Sequence, residues 1–487
     1  MTEKKYQQSS IKKNFMMNVI LTLSAFIFPL ITFPYISRVL LPAGTGKVSF
    51  ATSLISYFNI IAQLGIPTYG IRAVARVRDD EKELTCVCQE LLIINLVMSV
   101  FAYLCLAAAL LLIPKLFDDR ALYIIISLTI LLNAIGMEWL YKGLEQYTYI
   151  TVRSIIFKII AVFAMFLLVH QESDYVIYGA VSIFAASASN ILNFINARKY
   201  ISLKPQMNYN FSRHFRPIMV FFFMACATTI YTNLDTVMLG FMTTDTDVGY
   251  YNAAVKIKNI LVGVVTSLGA VLLPRASYYI EQGNLNEFHR IGRKALQFVL
   301  FISVPMTVYF IMFAKESIYL LSGSMFEGSI LPMQIIMPTT ILIGITNITG
   351  IQILVPLGKE RYVLYSEIAG AATDLVLNWF LIPVYRSSGA AVGTLAAEFV
   401  VLCVQFIALR SDLKYLLKDS RIINNLIGAG LAAAACIWFL NTGWNHFLTL
   451  LASAAVYFLV YYSFMMFRKD EMALYIWNET VNRIGKH

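Results

Sequence analysis

Residues 89–113 read QELLIINLVMSVFAYLCLAAALLLI, a stretch in which Glu90 is the one charged side chain. A helix needs about 20 mostly apolar residues to cross a hydrocarbon core about 30 Å thick, whereas a tilted β-strand needs only about 10. A helix also satisfies its own backbone hydrogen bonds, which lipid cannot do. This stretch therefore predicts a transmembrane helix.

Similar apolar stretches follow one another along the whole chain, separated by short polar breaks. Of the 487 residues, 59% are hydrophobic and 14% are charged, and the mean hydropathy is +0.69, well above that of a soluble domain. This pattern predicts an all-α, polytopic membrane protein with about 14 transmembrane helices. The predicted spans are 15–40, 48–70, 89–113, 121–141, 150–169, 176–197, 217–240, 250–273, 294–313, 329–355, 362–383, 389–409, 422–440 and 446–467.

The formal net charge is +10, and the positions of the cations account for it without a nucleic-acid partner. With the amino terminus in the cytoplasm, 29 of the 38 Lys and Arg residues fall in cytoplasmic segments, 5 in outer segments and 4 inside spans. This is the positive-inside distribution of a multi-pass protein. Because one miscounted span would invert every later loop, the distribution predicts an even number of spans and two cytoplasmic termini.

An offset of 203 residues relates two parts of the sequence. It places Gly46 on Gly249 and Arg72 on Arg275, and each copy begins a span and ends in a basic loop. The offset corresponds to six spans with their loops, so we predict two pseudo-symmetric six-helix halves and two added helices. Transporters built from repeated halves bind cargo near the middle of the membrane, so a transporter is expected. The predicted divisions are an N-terminal lobe at 1–200, a C-terminal lobe at 201–410, and two further spans with a cytoplasmic tail at 411–487.

The sequence lacks the motifs of the common enzyme classes. Gly46-Lys47 is followed by Val48 and has no glycine at the distance that a phosphate-binding loop requires, and zinc and nucleophile-elbow patterns are missing. Cys86 and Cys88 have no second cysteine pair or histidine partner, and none of the six cysteines is expected to form a disulfide. We therefore expect no enzymatic activity, no catalytic residue, no metal and no cofactor.

The most informative residues are the cations inside predicted spans, because a charge costs several kcal/mol in lipid unless it faces a cavity or a partner. They are Arg38, Lys158, Lys256 and Lys258. Arg38 either lines a cavity or extends its charged end to the outer membrane surface. Two residues separated by one lie about 200° apart on a helix, so Lys256 and Lys258 cannot face the same way.

Five acidic residues also lie at membrane depth: Glu138, Asp235, Glu367, Asp374 and Glu398. Asp235, in the run from Tyr231 to Asp235 (YTNLD), is the best candidate for a proton or sodium site. The alternative for Asp235 is an ion pair with a neighbouring lysine. Glu367 and Glu398 are expected to serve packing or to lie at loop edges.

Four stretches carry a resemblance to a known family. They are Phe33–Leu40 (FPYISRVL) with Tyr69–Arg72 (YGIR); Glu138–Glu145 (EWLYKGLE) followed by Arg153 and Lys158; Tyr250–Lys256 (YYNAAVK); and Ile353–Lys359 (ILVPLGK) with Asn378–Pro383 (NWFLIP). Through them, and over nearly its whole length, the chain resembles the polysaccharide flippases, a branch of the superfamily that contains the multidrug and toxin extruders. Lys256 matches the family pattern and Lys258 does not. Glu138 and Tyr141-Lys142 depart from it.

The resemblance implies a flippase of the bacterial cytoplasmic membrane. Its cargo would be an undecaprenyl-pyrophosphate-linked oligosaccharide, moved by alternating access from the inner to the outer leaflet for cell-surface polysaccharide biosynthesis. The implied partners are this glycolipid, membrane lipids and polymerase or export proteins, with coupling to a proton or sodium gradient left open. The expected ion-coupling residues are Asp235 and Glu138, and the expected substrate-binding residues are Arg38, Lys158, Lys256, Arg153, Tyr231 and Asn233.

Three other functions remain as alternatives. A drug or cation antiporter of the same fold would need an acidic cavity, against which the four cations inside spans argue. A flippase for the lipid-linked peptidoglycan precursor would share the carrier lipid. In this sequence only the match at Glu138–Glu145 favours a polysaccharide flippase over it. A membrane polymerase or ligase of sugar chains would need a large outer loop, and the predicted outer loops are short.

Overall fold

The computed structural model describes residues 11–206, 209–267, 269–416 and 422–484, and within these ranges every regular element is a helix. The chain forms two compact units, which divide between Val237 and Met238. The first unit contains α1 (Ile11–Gln63), α2 (Ile66–Val77), α3 (Glu81–Leu112), α4 (Pro114–Asp118), α5 (Arg120–Gly136), α6 (Glu138–Gly143), α7 (Tyr147–Leu168), α8 (Tyr175–Ile183), α9 (Asn190–Ala197) and most of α10 (Ser212–Met242).

The second unit contains the remaining helices. They are α11 (Asp245–Thr266), α12 (Gly269–Glu281), α13 (Leu285–Met312), α14 (Ala314–Ser322), α15 (Ile330–Ile336), α16 (Thr339–Asn347), α17 (Glu360–Ala408), α18 (Leu413–Leu416), α19 (Ile422–Cys436), α20 (His446–Phe467) and α21 (Glu471–Ile484). Wider π-helical turns at Phe184–Ala188 and Ile348–Leu354 interrupt two of the spans.

Two of the long helices each contain two membrane crossings. In α1, Leu41 has a φ of +56° and precedes Pro42, which lacks a backbone N–H and disfavours a helical residue before it. In α17, Arg386 has a φ of +50°. Both residues fall inside the polar breaks predicted at 41–47 and 384–388.

The crossings agree with the predicted number. Among the described residues, nine helical stretches are long and apolar enough to cross a membrane, and the bent pair Ser324–Ile336 with Thr339–Leu354 makes a tenth. The second crossings of α1 and α17, the apolar helix α5 and the 22-residue helix α11 bring the total to about 14. The predicted all-α, polytopic membrane fold is confirmed.

The helix boundaries repeat with the predicted offset. The second crossing of α1 ends at Gln63, and α11 ends at Thr266, 203 residues later. The offset read from Gly46 and Gly249 is thus also the offset between equivalent helices, which supports a repeated six-helix architecture.

The second crossing is shorter than the predicted span 48–70. The crossing ends at Gln63, because Leu64 and Gly65 have φ values of +46° and +70° and start the separate helix α2. A side chain at position 65 would place its Cβ 2.5 Å from the backbone of Phe221 and Phe222. Glycine is therefore required here both by the backbone conformation and by the closeness of α10.

The two added helices form part of the core of the second unit. The Tyr461 hydroxyl in α20 lies within hydrogen-bond distance of two acceptors, the carbonyl oxygen of Phe301 in α13 at 3.0 Å and Asn425 Oδ1 in α19 at 2.9 Å. Tyr457 is fully buried in the same cluster. These contacts join α19 and α20 to the third crossing of the second half.

Candidate functional site

The first part of the site is the short helix α6, which follows a sharp break after α5. Met137 has a φ of +40° and separates Gly136 from Glu138, the first residue of α6. A Cβ at Gly136 would lie 2.5 Å from Asn190 Cγ, so only glycine lets the end of α5 approach α9 this closely. The break points Glu138 toward α7 and keeps Lys142 one turn away from it.

Glu138 forms ion pairs with two cations. The Lys142 Nζ lies 2.8 Å from Glu138 Oε1, and the Arg153 Nη2 lies 3.6 Å from Glu138 Oε2. Glu138 and Lys142 remain 40% and 32% exposed, whereas the Arg153 side chain is 3% exposed. The carboxylate thus joins an accessible lysine to a buried arginine.

Arg153 is also held by two residues at the start of α9. Its Nη1 donates to Ser189 Oγ at 2.8 Å and to Asn190 Oδ1 at 3.1 Å. Its buried Nε has no hydrogen-bond partner among the described residues. Arg153, predicted to bind substrate, therefore lies inside the first unit with its guanidinium fixed in place.

Lys158 adds a third positive charge. It is the twelfth residue of α7, about 17 Å along the axis from the first residue, which is near the middle of the 22-residue helix. Its Nζ donates to Ser24 Oγ in α1 at 2.8 Å, and it interacts electrostatically with Glu138. Glu138 thus pairs directly with Lys142 and Arg153 and interacts electrostatically with Lys158, and these three cations with one carboxylate leave an excess of two positive charges. We call these four residues the cationic cluster.

Arg38 lies apart from the cationic cluster. It is exposed, and its Nη1 donates to the carbonyl oxygen of Pro34 at 2.5 Å. Ser24, which contacts Lys158, is 14 residues earlier in the same crossing, about 21 Å away along the helix axis. The structure therefore does not bring Arg38 and Lys158 together at one depth.

Three predicted site residues lie on α10. Tyr231 and Asn233 are half-buried, and the Asn233 amide donates to the carbonyl oxygen of Thr229 at 3.1 Å within the same helix. Asp235 is 7% exposed and lies seven residues before the last residue of α10.

Lys256 belongs to the second unit. It is the twelfth residue of the 22-residue helix α11, the same position that Lys158 holds in α7. Lys256 and Lys258 are both half-buried and, being two residues apart, point in different directions.

The second unit has a buried carboxylate of its own. Asp374 Oδ1 accepts a hydrogen bond from Asn378 Nδ2 at 3.1 Å, and Gly393 lies directly against both side chains. Glu398 is 6% exposed and therefore lies in the interior, so of the two expectations for it, packing agrees with the structure and a loop edge does not. The spacing of Asp374 and Asn378, four residues apart on one helix, was a signal in the sequence for their contact.

The sequence did not reveal a second charged cluster, which surrounds Glu90. This fully buried carboxylate accepts hydrogen bonds from Arg213 Nε at 2.9 Å, Arg213 Nη2 at 2.6 Å, His214 Nε2 at 2.7 Å and the backbone N–H of Asn210 at 2.5 Å. Tyr69 is bonded to the other ring nitrogen of His214 at 2.8 Å. The sign of this cluster in the sequence was Glu90 itself, a single acidic residue at the second position of the apolar stretch 89–113.

Comparison with protein families identifies the chain. A family model described as "Polysaccharide biosynthesis protein" matches residues 11–279, more than half of the sequence. The chain belongs to the polysaccharide biosynthesis protein family. A second model, MatE, matches residues 221–380 of this family member. The family resemblance predicted from the sequence motifs is confirmed.

Individual relatives are similar over most or part of this polysaccharide biosynthesis protein. The Escherichia coli (strain K12) protein named "Putative O-antigen transporter" is 24% identical over 406 residues, which are 83% of this chain and 97% of that protein. The "Probable flippase AglR" of Haloferax volcanii is 24% identical over 212 residues, which are 43% of this chain and 44% of that protein.

Two solved structures share the fold. The lipid II flippase MurJ in an inward closed conformation has a TM-score of 0.71 at 16% identity and covers 94% of this chain and 100% of its own. A multidrug resistance transporter of the MATE family, in an inward-facing conformation, has a TM-score of 0.55 at 13% identity and covers 81% and 99%. The chain is thus a multi-pass membrane protein with a transporter fold.

Proposed function

We propose that this protein moves an undecaprenyl-pyrophosphate-linked oligosaccharide from the inner to the outer leaflet of the bacterial cytoplasmic membrane, by alternating access and with both termini cytoplasmic. The observation that carries the proposal is the cationic cluster, which brings Glu138 and Lys142 of α6 together with Arg153 of α7 and includes Lys158 five residues further along α7. Membership of the polysaccharide biosynthesis family and the relative named as an O-antigen transporter support the same cargo class.

The cargo explains why a membrane helix would keep such an excess of positive charge. A pyrophosphate and its sugars cannot enter hydrocarbon unless polar and charged groups replace their hydration. Lys142 and Lys158 each provide an ammonium group, and their long, flexible side chains can follow an anion as it moves. The polyprenyl chain needs no such environment and stays in the lipid.

The movement is proposed to draw on an ion gradient. Asp235 is a buried carboxylate within the segment that matches the MatE model, and Asp374 lies in the same segment. A buried carboxylate is more easily accommodated in lipid when it binds a proton or sodium ion. Asp235 would therefore respond to the gradient, while the cationic cluster holds the cargo.

A flux assay tests the proposal. Purified protein in liposomes is given a labelled polyprenyl-diphosphate-linked oligosaccharide, and the fraction that reaches the opposite leaflet is measured with a membrane-impermeant reagent. We expect Lys158→Ala to lower the flux about 10-fold or more, because a hydrogen bond to a charged group contributes about 1.5–3 kcal/mol. Lys158→Arg should keep most of the flux. Lys204→Ala, at an exposed loop residue, is the matched control.

The same assay distinguishes the proposed flippase from a cation antiporter and tests whether transport is coupled to an ion gradient. Equal flux for Lys158→Ala and Lys204→Ala at equal protein amounts would contradict the proposal. A cation antiporter would instead expel a cationic dye, lose that activity in Asp235→Asn, and be indifferent to Lys158→Ala. For the proposed flippase, Asp235→Asn should remove the increase in flux that an imposed proton or sodium gradient produces in the unmodified protein.

A further inference from the structure

Glu138 occupies the position where an anion would be expected to bind. Its two carboxylate oxygens are used separately, Oε1 by Lys142 and Oε2 by Arg153. A membrane protein that needs cations for an anionic cargo gains nothing from neutralising one of them with its own carboxylate. The presence of Glu138 within the cationic cluster therefore requires an explanation beyond charge balance.

The two cations that contact Glu138 differ in mobility. Arg153 is buried and fixed by Ser189 and Asn190, and Asn190 in turn donates to Asn133 Oδ1 at 3.1 Å. Lys142 is one-third exposed, and Glu138 is its ion-pair partner among the described residues. An anion that approaches the cluster can draw Lys142 away from Glu138, whereas Arg153 cannot leave its place.

We propose that Glu138 is a specificity-determining residue that substitutes for the cargo's phosphates in the empty site, and that Arg153 is the positioning residue that holds it there. This inference rests on the proposed function. A lipid-linked diphosphate takes Lys142 together with Lys158, and Glu138 then stays paired with Arg153 alone. On binding, the diphosphate replaces the carboxylate of Glu138 as the partner of Lys142. The buried Arg153 keeps Glu138 as its counter-charge.

The charges of the competing lipids explain what Glu138 selects. An ordinary anionic phospholipid has one negatively charged phosphate, whereas a diphosphate diester has two. The cationic cluster has an excess of two positive charges, which a diphosphate neutralises and a single phosphate does not. Glu138 therefore favours diphosphate-linked lipids and keeps abundant single-phosphate lipids from occupying the site.

Binding measurements with two probes test the inference. The full-length protein in nanodiscs is titrated with a polyprenyl-diphosphate-linked sugar and with the corresponding polyprenyl-monophosphate-linked sugar, which carry two charges and one, and the ratio of their affinities is the readout. We expect Glu138→Gln to lower this preference for the diphosphate about 5-fold or more, mainly by tightening binding of the monophosphate. A residue with a merely structural role would not change this ratio.

The chain offers a matched control. Glu145 is 41% exposed and pairs with Arg78 at 3.0 Å, so it resembles Glu138 in exposure and ion pairing but lies outside the cluster. Glu145→Gln should keep the preference of the unmodified protein. If Glu138→Gln keeps it as well, the inference is wrong.

Three further variants complete the test. Lys142→Gln, at a partly exposed residue, should weaken diphosphate binding more than monophosphate binding, and an unchanged ratio there would also overturn the inference. Arg153→Lys should lower the preference by releasing Glu138, and adding Glu138→Gln to it should have no further effect. These measurements record binding and not transport. A failure of the proposed function would be seen in the flux assay, as undiminished flux in Lys158→Ala, and is therefore distinguishable from a failure of this inference.

Discussion

The Glu90 cluster and the cationic cluster both bring a carboxylate, an arginine and a further basic residue together inside the first unit, and they differ in how completely the carboxylate is surrounded. Glu90 is fully buried and accepts four hydrogen bonds from three residues. Glu138 is 40% exposed and pairs with two cations, and Nε of one of them, Arg153, has no hydrogen-bond partner in the described part of the chain. A saturated buried acid stabilises a fold, whereas an accessible excess of charge can bind a ligand.

The largest effect on stability is expected in the Glu90 cluster. We predict that Glu90→Ala destabilises the protein by about 3–5 kcal/mol, because it leaves the buried His214 ring and the Asn210 N–H without their acceptor and takes from Arg213 the buried one of its two acidic partners. The change is measured as a loss of thermal stability in detergent, followed by the amount of monodisperse protein. Retention of normal stability by Glu90→Ala would remove the contrast between the two clusters.

An intermediate effect is expected where the backbone positions the cationic cluster. Gly136→Ala should cost about 1–3 kcal/mol, because its Cβ would lie 2.5 Å from Asn190, the residue that holds Arg153. Gly430→Ala is the matched control, since nothing lies within 4 Å of its Cβ in α19, and alanine there should be neutral or stabilising by up to about 1 kcal/mol. Equal thermal stabilities for the two variants would show that the close contact at Gly136 is unimportant.

The smallest effect is expected at Glu83, the second acidic partner of Arg213. Its side chain is 42% exposed, so solvent screens the ion pair. Glu83→Gln should change the free energy of unfolding by about 1 kcal/mol or less. A loss as large as that of Glu90→Ala, measured in the same thermal assay, would show that burial does not decide what each carboxylate contributes.

Most of the fold could be predicted because hydropathy is a local property. A run such as 89–113 identifies its own helix, and Pro42 marks the break in α1 from the chemistry of its ring. The separate helix α2 was missed because the break at Leu64 and Gly65 has few local signals. Its cause is the approach of Phe221 and Phe222, more than 150 residues later.

Individual residues of the candidate site could be predicted from the sequence, but the contacts between them could not. The sequence identified Glu138 and Lys158 as charged groups at membrane depth, and Glu138 was expected to serve ion coupling and Arg153 to bind substrate. Those roles stay predictions, since only the packing of α6 and α9 against α7 reveals that the two residues form one ion pair. The Glu90 cluster depends on the loop before α10, which carries no recognisable pattern.

The distance along the chain between Glu90 and its partners has a consequence for biosynthesis. Arg213 and His214 follow Glu90 by 123 and 124 residues, so the ribosome completes the third crossing and three further ones before they are made. Until then, the acid at the start of the third crossing lacks both of these donors. The first six crossings therefore cannot reach their final packing as they enter the membrane one by one. Their assembly must wait for the first turn of the seventh.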